Sequence, residues 1–249
     1  MADQILNLNG KQAAAGSGVI NIVPADYISG LKMVWVSATA LTVTTGAACR
    51  PSDSLLMAPA ANIAKTALAL TASTWYHVYL YMNGANPDIE IVTTAPAAPY
   101  SGTACAKTGD TSRRYIGSVL TDASGNIIRF DQTGNRIDYM MSINNAPLHP
   151  LNYAGATITT PVSLAAAIPV TARRAAMYLE NSTTNGSIAY ISVPPLASLA
   201  DVITFVRPGG RLSALYVVDS TQSFNYAFNG APAAGTGLDA WVTGYVYER

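Results

Sequence analysis

Hydrophobic and polar residues alternate with a period of two through much of this chain, a pattern that predicts β-strands. The clearest example runs from Trp75 to Met82. One face of this predicted strand carries Trp75, His77, Tyr79 and Tyr81, and the other carries Tyr76, Val78, Leu80 and Met82. Both faces are aromatic or apolar, so each needs a cover. We therefore expect the Trp75/His77/Tyr79/Tyr81 face to pack against a neighbouring sheet or a second subunit.

Similar short segments recur along the chain between turn signals rich in Gly, Pro, Asn and Asp. The further predicted strands are Met33–Ser37, Ala40–Thr45, Ile89–Thr94, Arg114–Leu120, Ile127–Phe130, Ala175–Glu180, Ser187–Val193, Val202–Val206, Leu212–Val218, Ser223–Phe228 and Ala240–Tyr247. The Ala-rich stretch 59–70 fits a helix starting at Pro59 or a strand, and we favour a strand from Lys65. Short strands separated by regular turns are typical of β-sandwiches and jelly rolls.

Changes in composition divide the chain into four parts. Residues 1–30 are rich in Gly, Ala, Ser and Asn and resemble an extended N-terminal arm or attachment segment. Residues 31–143 and 169–249 are the two strand-rich parts, and the Pro/Asn/Ala-rich stretch 144–168 is the predicted linker between them. The expected fold class is therefore all-β, with two consecutive antiparallel β-sandwich or jelly-roll-like domains.

The charge content limits the partners of the chain. Only 11% of the residues are charged, and 14 basic residues balance 14 acidic ones. Such a chain lacks the basic surface that nucleic acids or anionic membranes require. No apolar run is long enough for a transmembrane helix, and the N-terminus lacks the pattern of a signal peptide. A neutral, charge-poor chain tends to associate, so we expect a homo-oligomer.

Residues able to perform catalysis are few. His77 and His149 are the only histidines, and we interpret both as structural, hydrogen-bonded rings. Asp88 and Glu90 share one face of a predicted strand, with their Cα atoms about 7 Å apart, a spacing that a glycosidase could use. However, Asp88 follows Pro87 just after a turn, where an aspartate is ordinary turn chemistry. We therefore predict no catalytic residues, no cofactor and no metal site.

Two smaller features leave alternatives open. The segments Asp122–Asn126 and Asp131–Asn135 both read Asp-x-Ser/Thr-Gly-Asn, which predicts tight turns; they also resemble half of a calcium loop. Cys49 and Cys105 are the only cysteines. Because the N-terminus lacks a signal-peptide pattern, we expect the chain to fold in a cytoplasm, where thiols are usually reduced, but the sequence does not decide whether these two pair.

The aromatic composition suggests surfaces for recognition. The chain has 14 tyrosines but only 4 phenylalanines, and tyrosine suits contacts where a ring packs while its hydroxyl stays wet. Ordinary strand preference explains the same composition equally well. Our candidates for surface recognition are Tyr226, Tyr245 and Tyr247, and our candidate interface is Trp75, His77, Tyr79 and Tyr81.

One segment resembles a known class of proteins. Three stretches are similar to a module of tailed bacteriophage virion proteins. They are Trp75–Tyr81, the sequence Gly-Asp-Thr-Ser-Arg-Arg-Tyr-Ile-Gly-Ser-Val from Gly109, and Ile127–Phe130. The resemblance covers roughly residues 30–143 and implies a tail-fibre, tail-tip or head-decoration protein, commonly a homotrimer on the virion surface. The C-terminal Gly-Tyr-Val-Tyr-Glu-Arg resembles the last strand of many phage β-domains.

Four functional hypotheses follow. The first is a non-enzymatic virion component, displayed as a short fibre or tip protein, anchored to other virion proteins by its N-terminal segment and involved in host attachment through a surface glycan or envelope protein. The second is a capsid-decorating protein. A carbohydrate-binding module and a glycan-cleaving enzyme that uses Asp88 and Glu90 are the remaining alternatives.

Overall fold

A computed structural model describes residues 23–193 and 202–249, together with the backbone of residues 6–8 and 11–13. All regular secondary structure in these residues is β-strand, so the expected all-β fold class is confirmed. None of the described residues forms a helix that could cross a membrane.

The strands are short, apart from four that reach nine to eleven residues. In chain order they are β1 (Leu6–Leu8), β2 (Lys11–Ala13), β3 (Ile28–Gly30), β4 (Met33–Ser37), β5 (Ala40–Val43), β6 (Gly46–Cys49), β7 (Leu56–Met57), β8 (Ile63–Lys65), β9 (Trp75–Asn83), β10 (Asn86–Val92) and β11 (Ala106–Lys107). They continue as β12 (Asp110–Leu120), β13 (Phe130–Thr133), β14 (Arg136–Tyr139), β15 (Leu151–Ala154), β16 (Thr160–Ser163), β17 (Ala172–Asn181), β18 (Ala189–Ser192), β19 (Thr204–Val206), β20 (Arg211–Val217), β21 (Ser223–Phe228) and β22 (Leu238–Tyr247).

These strands form several antiparallel sheets. The largest has the order β13-β14-β22-β17-β20, with β15 also paired to β22. Two four-stranded sheets have the orders β10-β9-β12-β11 and β16-β21-β18-β19. Two three-stranded sheets, β3-β6-β7 and β4-β5-β8, and the β1-β2 pair complete the arrangement.

The long strand β22 connects the largest sheet to the sheet that contains β12. Near its C-terminal end, Tyr245 and Tyr247 donate hydrogen bonds to the carbonyl oxygens of Ser118 and Ile116 on β12, at 2.9 and 3.1 Å. Residues of all three larger sheets belong to one buried hydrophobic cluster. Gly244 is required in this strand because a Cβ there would collide with the Ile137 carbonyl of β14.

The predicted linker 144–168 needs correction. This segment contributes β15 and β16 to the sheets, and its residues Leu148, Leu164 and Ile168 are fully buried. Its Pro and Asn residues fit the turns between two short strands, although their density had led to the prediction of a linker. The predicted ranges 31–143 and 169–249 also share one sheet, because β14 pairs with β22.

Two predicted strands differ from the observed ones. The ambiguous Ala-rich stretch does form a strand, but β8 ends at Lys65 where we expected it to begin. Ile127–Phe130 does not form a regular strand along β12. It meets the end of β12 through an isolated bridge between Thr121 and Ile127 and a hydrogen bond from Ile128 N–H to the Leu120 carbonyl at 2.9 Å. Phe130 instead begins β13, which pairs with β14. Most of the predicted arm 1–30 lies outside the described residues, although β3 at its end pairs with β6.

Candidate interaction surfaces

The Trp75/His77/Tyr79/Tyr81 face of β9 is covered largely by the same chain. His77 and Tyr79 are buried, and Trp75 and Tyr81 are partly buried. The Trp75 indole donates a hydrogen bond to the Ala165 carbonyl at 3.0 Å and meets the ring of Tyr245 edge-on. The neighbouring sheet that covers this face is therefore the one containing β22. Contact of the face with another subunit stays a prediction.

A cluster of tyrosines fills the space between the β9–β12 sheet and the β22 sheet. Tyr79, Tyr115, Tyr247 and Tyr245 pack edge-on in succession with ring centroids 5.8–6.3 Å apart. The Tyr115 hydroxyl hydrogen-bonds to Ser118 Oγ and Thr171 Oγ1 at 2.8 and 2.7 Å. Burial raises the pKa of Tyr247 to about 12. These rings are therefore a structural seam, whose hydroxyl groups all end on partners within the chain.

The prediction that Tyr226, Tyr245 and Tyr247 form a recognition surface is wrong. All three side chains are at least 95% buried. Tyr226 accepts a hydrogen bond from the Ala156 backbone, whereas the other two donate to β12. The abundance of tyrosine was equally compatible with wet surfaces and with ordinary strand preference, and the hydroxyl groups of these three residues in fact bond to backbone groups inside the fold.

His77 lies against the tyrosine seam and is a neutral ring. Its Nδ1 atom is 2.8 Å from Ser118 Oγ, and its ring packs beside Tyr115. Burial lowers the pKa of His77 to about 4, because desolvation disfavours the imidazolium form. The second histidine, His149, stacks on Trp241 at 4.5 Å and contacts Asp239 Oδ1 at 3.0 Å. Both rings are hydrogen-bonded, as predicted.

The Asp88/Glu90 pair is held in ion pairs. Lys65 contacts Asp88 at 2.9 Å, and Lys107 and Arg113 contact Glu90 at 2.9 and 3.1 Å. Burial acts to raise the pKa of Asp88, but hydrogen bonds from Lys65 and from the Ile89 backbone outweigh it and hold the pKa below its usual value. A glycosidase acid requires the opposite shift, so Asp88 is not poised to donate a proton.

The remaining sequence features are structural as well. The Asp122 carboxylate accepts hydrogen bonds from the backbone of Ser124 and Asn126, at 2.8 and 2.9 Å, which closes the predicted turn. Across residues 23–193 and 202–249, no group of three His, Cys, Asp or Glu side chains could hold a metal ion. Cys49 and Cys105 are both buried and do not form a disulfide.

One exposed surface is apolar and lies where two sheets end. Strand β19 is the last strand of one sheet and β20 the last strand of another. Ile203, Phe205, Leu215 and Val217 are each 40–49% exposed there. A groove of about 390 Å³ runs between the two strands, and Tyr216 lines it with a buried hydroxyl that has no hydrogen-bond partner among residues 23–193 and 202–249. We name this surface, residues 203–206 and 211–217, the open edge.

A second surface is a polar groove of about 330 Å³ between the edge strands β4 and β13. Its walls carry Lys32, Trp35, Arg129 and Asp131. The Arg129 guanidinium lies 5.4 Å from the Trp35 ring, and the Trp35 indole donates to the Ile127 carbonyl at 3.0 Å. An aromatic ring beside charged groups is a combination that suits small polar ligands.

No protein-family model matches this sequence, and no curated protein matches it significantly. Sequence analysis missed both exposed surfaces. The alternation Leu212 to Val218 predicted β20 but could not reveal that the strand would end a sheet, and the groove joins residues that are about a hundred positions apart.

Proposed function

We propose that the protein is a non-enzymatic structural component of a phage particle, displayed on the virion surface as a short fibre or tip protein that participates in host attachment. The open edge is the observation that carries the structural part of this proposal. A protein that works alone in solution normally protects the end of a sheet with charge or proline, whereas Leu215 and Val217 leave this end apolar.

Three further features support an assembly role. The chain has no net charge and few charged residues, and several of these are ion-paired within the chain, among them Lys65 with Asp88, Arg136 with Asp138 and Arg211 with Glu180. The carboxylates nearest to a glycosidase spacing are ion-paired. The resemblance of residues 30–143 to phage virion modules supplies the biological setting, and it also implies a homotrimer attached through the N-terminal segment.

Labelling of phage particles tests this proposal. Antibodies raised against the purified chain should decorate intact virions, and electron microscopy then gives the position of the label. Label at the tail end supports the attachment role. Label over the head supports the alternative of a capsid-decorating protein, and virions without label would overturn both.

The β4–β13 groove favours glycan binding as the means of host attachment. Trp35 offers an aromatic face, and Lys32 and Arg129 offer donors to hydroxyl or carboxylate groups of a sugar. A glycan array with the purified chain should show selective binding that Arg129→Ala and Lys32→Ala each weaken. Equal binding by Arg50→Ala, whose guanidinium is paired with Asp53 outside the groove, serves as the control. Binding that survives both groove substitutions would remove this role from the groove.

A further inference from the structure

The free side of β20 exposes a regular row of backbone hydrogen-bonding groups. On the paired side, Val218 N–H donates to the Arg173 carbonyl at 3.1 Å, and Asn181 N–H donates to the Gly210 carbonyl at 3.0 Å. Hydrogen-bonded positions alternate along an antiparallel strand, so the even-numbered residues of β20 face β17. The odd-numbered residues, Arg211, Ser213, Leu215 and Val217, therefore direct their N–H and C=O groups to the free side.

The side chains of those same residues share one surface of the sheet. They are exposed, and the central two are Leu215 and Val217. In the part of the chain that the structure describes, no strand pairs with this side of β20. A row of unpaired backbone groups flanked by apolar side chains is a template for strand addition.

We propose that a second copy of this chain pairs with β20, antiparallel and about a two-fold axis at Leu215. In this register Leu215 faces Leu215 of the second copy, Ser213 faces Val217, and Arg211 faces Asp219. Asp219 lies two residues beyond the end of β20, and its side chain already accepts hydrogen bonds from the Thr221 backbone and hydroxyl at 2.9 and 2.6 Å.

Charge complementarity selects this register from its neighbours. A shift by two residues places Arg211 opposite either Val217 or Thr221, so only the proposed register puts opposite charges face to face at both ends of the pair. The Arg211 side chain is 65% exposed and holds Glu180 at 2.9 Å, so it can bridge Glu180 and the second Asp219. Opposite charges on facing strands are favourable, whereas like charges are unfavourable.

The pairing also satisfies the backbone groups that the single chain leaves exposed on β20. It forms about six backbone hydrogen bonds across the axis, from the three facing pairs between residues 213 and 217. It joins two β20-containing sheets into one continuous sheet and places Leu215 beside Leu215 of the second copy, which covers part of both side chains. This inference rests on the assembly role proposed above, but it replaces the homotrimer that the resemblance implies with a two-fold contact, because one strand that pairs with itself is isologous.

Single cysteine substitutions test the register in the full-length chain. The facing Cα atoms at Leu215 would be about 5.5 Å apart, within the range of a disulfide, whereas two copies of residue 217 would be separated by about 14 Å along the strands. Under mild oxidation Leu215→Cys should therefore form a covalent dimer. Ser213→Cys and Val217→Cys should each stay monomeric in denaturing gels but cross-link when mixed. The native chain, with both cysteines buried, is the control.

Light scattering from about 1 to 100 μM tests the association itself. The native chain should be dimeric at the upper end, and Leu215→Lys should be monomeric with unchanged circular dichroism, because it places two ammonium groups at the axis. Asp219→Asn keeps the turn and removes the charge, so it should weaken the dimer about fivefold. Three results would overturn the proposal. They are a native chain that is monomeric at every concentration, a Leu215→Lys variant that is still dimeric, and a Val217→Cys variant that cross-links without Ser213→Cys present.

The two proposals fail in different experiments. A monomeric chain that nevertheless labels virions would overturn the β20 pairing and leave the virion role standing. If the chain dimerises through β20 but antibodies against it do not label virions, the virion role would be overturned and the β20 pairing would stand.

Discussion

The tyrosine seam and the open edge use the same residue type in opposite ways. At the seam, Tyr245 is buried and its hydroxyl donates to the Ser118 carbonyl at 2.9 Å. At the open edge, Tyr216 is also buried, but its hydroxyl has no partner in the part of the chain that the structure describes. A buried polar group without a partner costs about 1–3 kcal/mol.

This difference distinguishes an interface whose polar groups are satisfied within one chain from a surface whose polar groups lack partners among the described residues. The seam joins two sheets with packed rings, and each hydroxyl ends on an acceptor, so nothing further is needed to close it. The open edge has exposed apolar side chains, a groove, and one side of β20 that pairs with no described strand. Stability should therefore depend on the seam, and association should depend on the open edge.

The largest effect should come from removing a ring of the seam. Tyr245→Ala deletes a fully buried ring that contacts Trp75, Tyr139 and Tyr247, and we expect it to lower the free energy of unfolding by about 3–5 kcal/mol. Leu215→Ala at the open edge is the matched control and should cost less than about 0.5 kcal/mol in the monomer. Urea denaturation at low protein concentration measures both. Equal losses would show that the seam is not the main support of the fold.

The next effect concerns pH and His77. Its pKa is about 4 in the folded chain and about 6.5 when unfolded, so the unfolded chain binds more protons between these values. The contribution of the neutral ring is complete above pH 6.5 and is lost as the pH falls towards 4, by about 3 kcal/mol in all. Between pH 7.5 and 4.5, His77→Gln should therefore lose about 2–3 kcal/mol less stability than the native chain. Parallel pH profiles for the two chains would contradict this assignment.

Local pattern was enough to predict the strands but not their neighbours. The run from Trp75 to Met82 was predicted to have two covered faces, because alternation assigns each side chain to a face without knowledge of the fold. The cover itself could not be predicted, since Ala165 and Tyr245 are about 90 and 170 positions away from Trp75. The same limit explains the error at Tyr226, Tyr245 and Tyr247, where the sequence shows a hydroxyl but not its acceptor.

The linker and the open edge show a second limit. Pro and Asn residues in 144–168 mark turns, but whether the residues between two turns join a sheet depends on a free partner strand, here β22 and β21. Whether a strand is central or last in its sheet is likewise a property of the assembled fold. The alternation of β17 and that of β20 look alike in the sequence, yet β17 has a partner on both sides, whereas β20 has one side that pairs with no described strand.

The smallest expected effect tests the comparison most directly, because one substitution removes a single oxygen atom from the tyrosine seam and the other removes a single oxygen atom from the open edge. Tyr245→Phe removes a buried hydroxyl and leaves the Ser118 carbonyl without its donor, so it should cost about 1–2 kcal/mol. Tyr216→Phe removes a buried hydroxyl that has no partner among the described residues, so it should be neutral or stabilise the monomer by up to about 1 kcal/mol. Both are measured by urea denaturation at low concentration. If Tyr216→Phe costs as much as Tyr245→Phe, the Tyr216 hydroxyl is satisfied within the chain after all, by residues outside the described ones, and the open edge is more complete than its exposed side chains indicate.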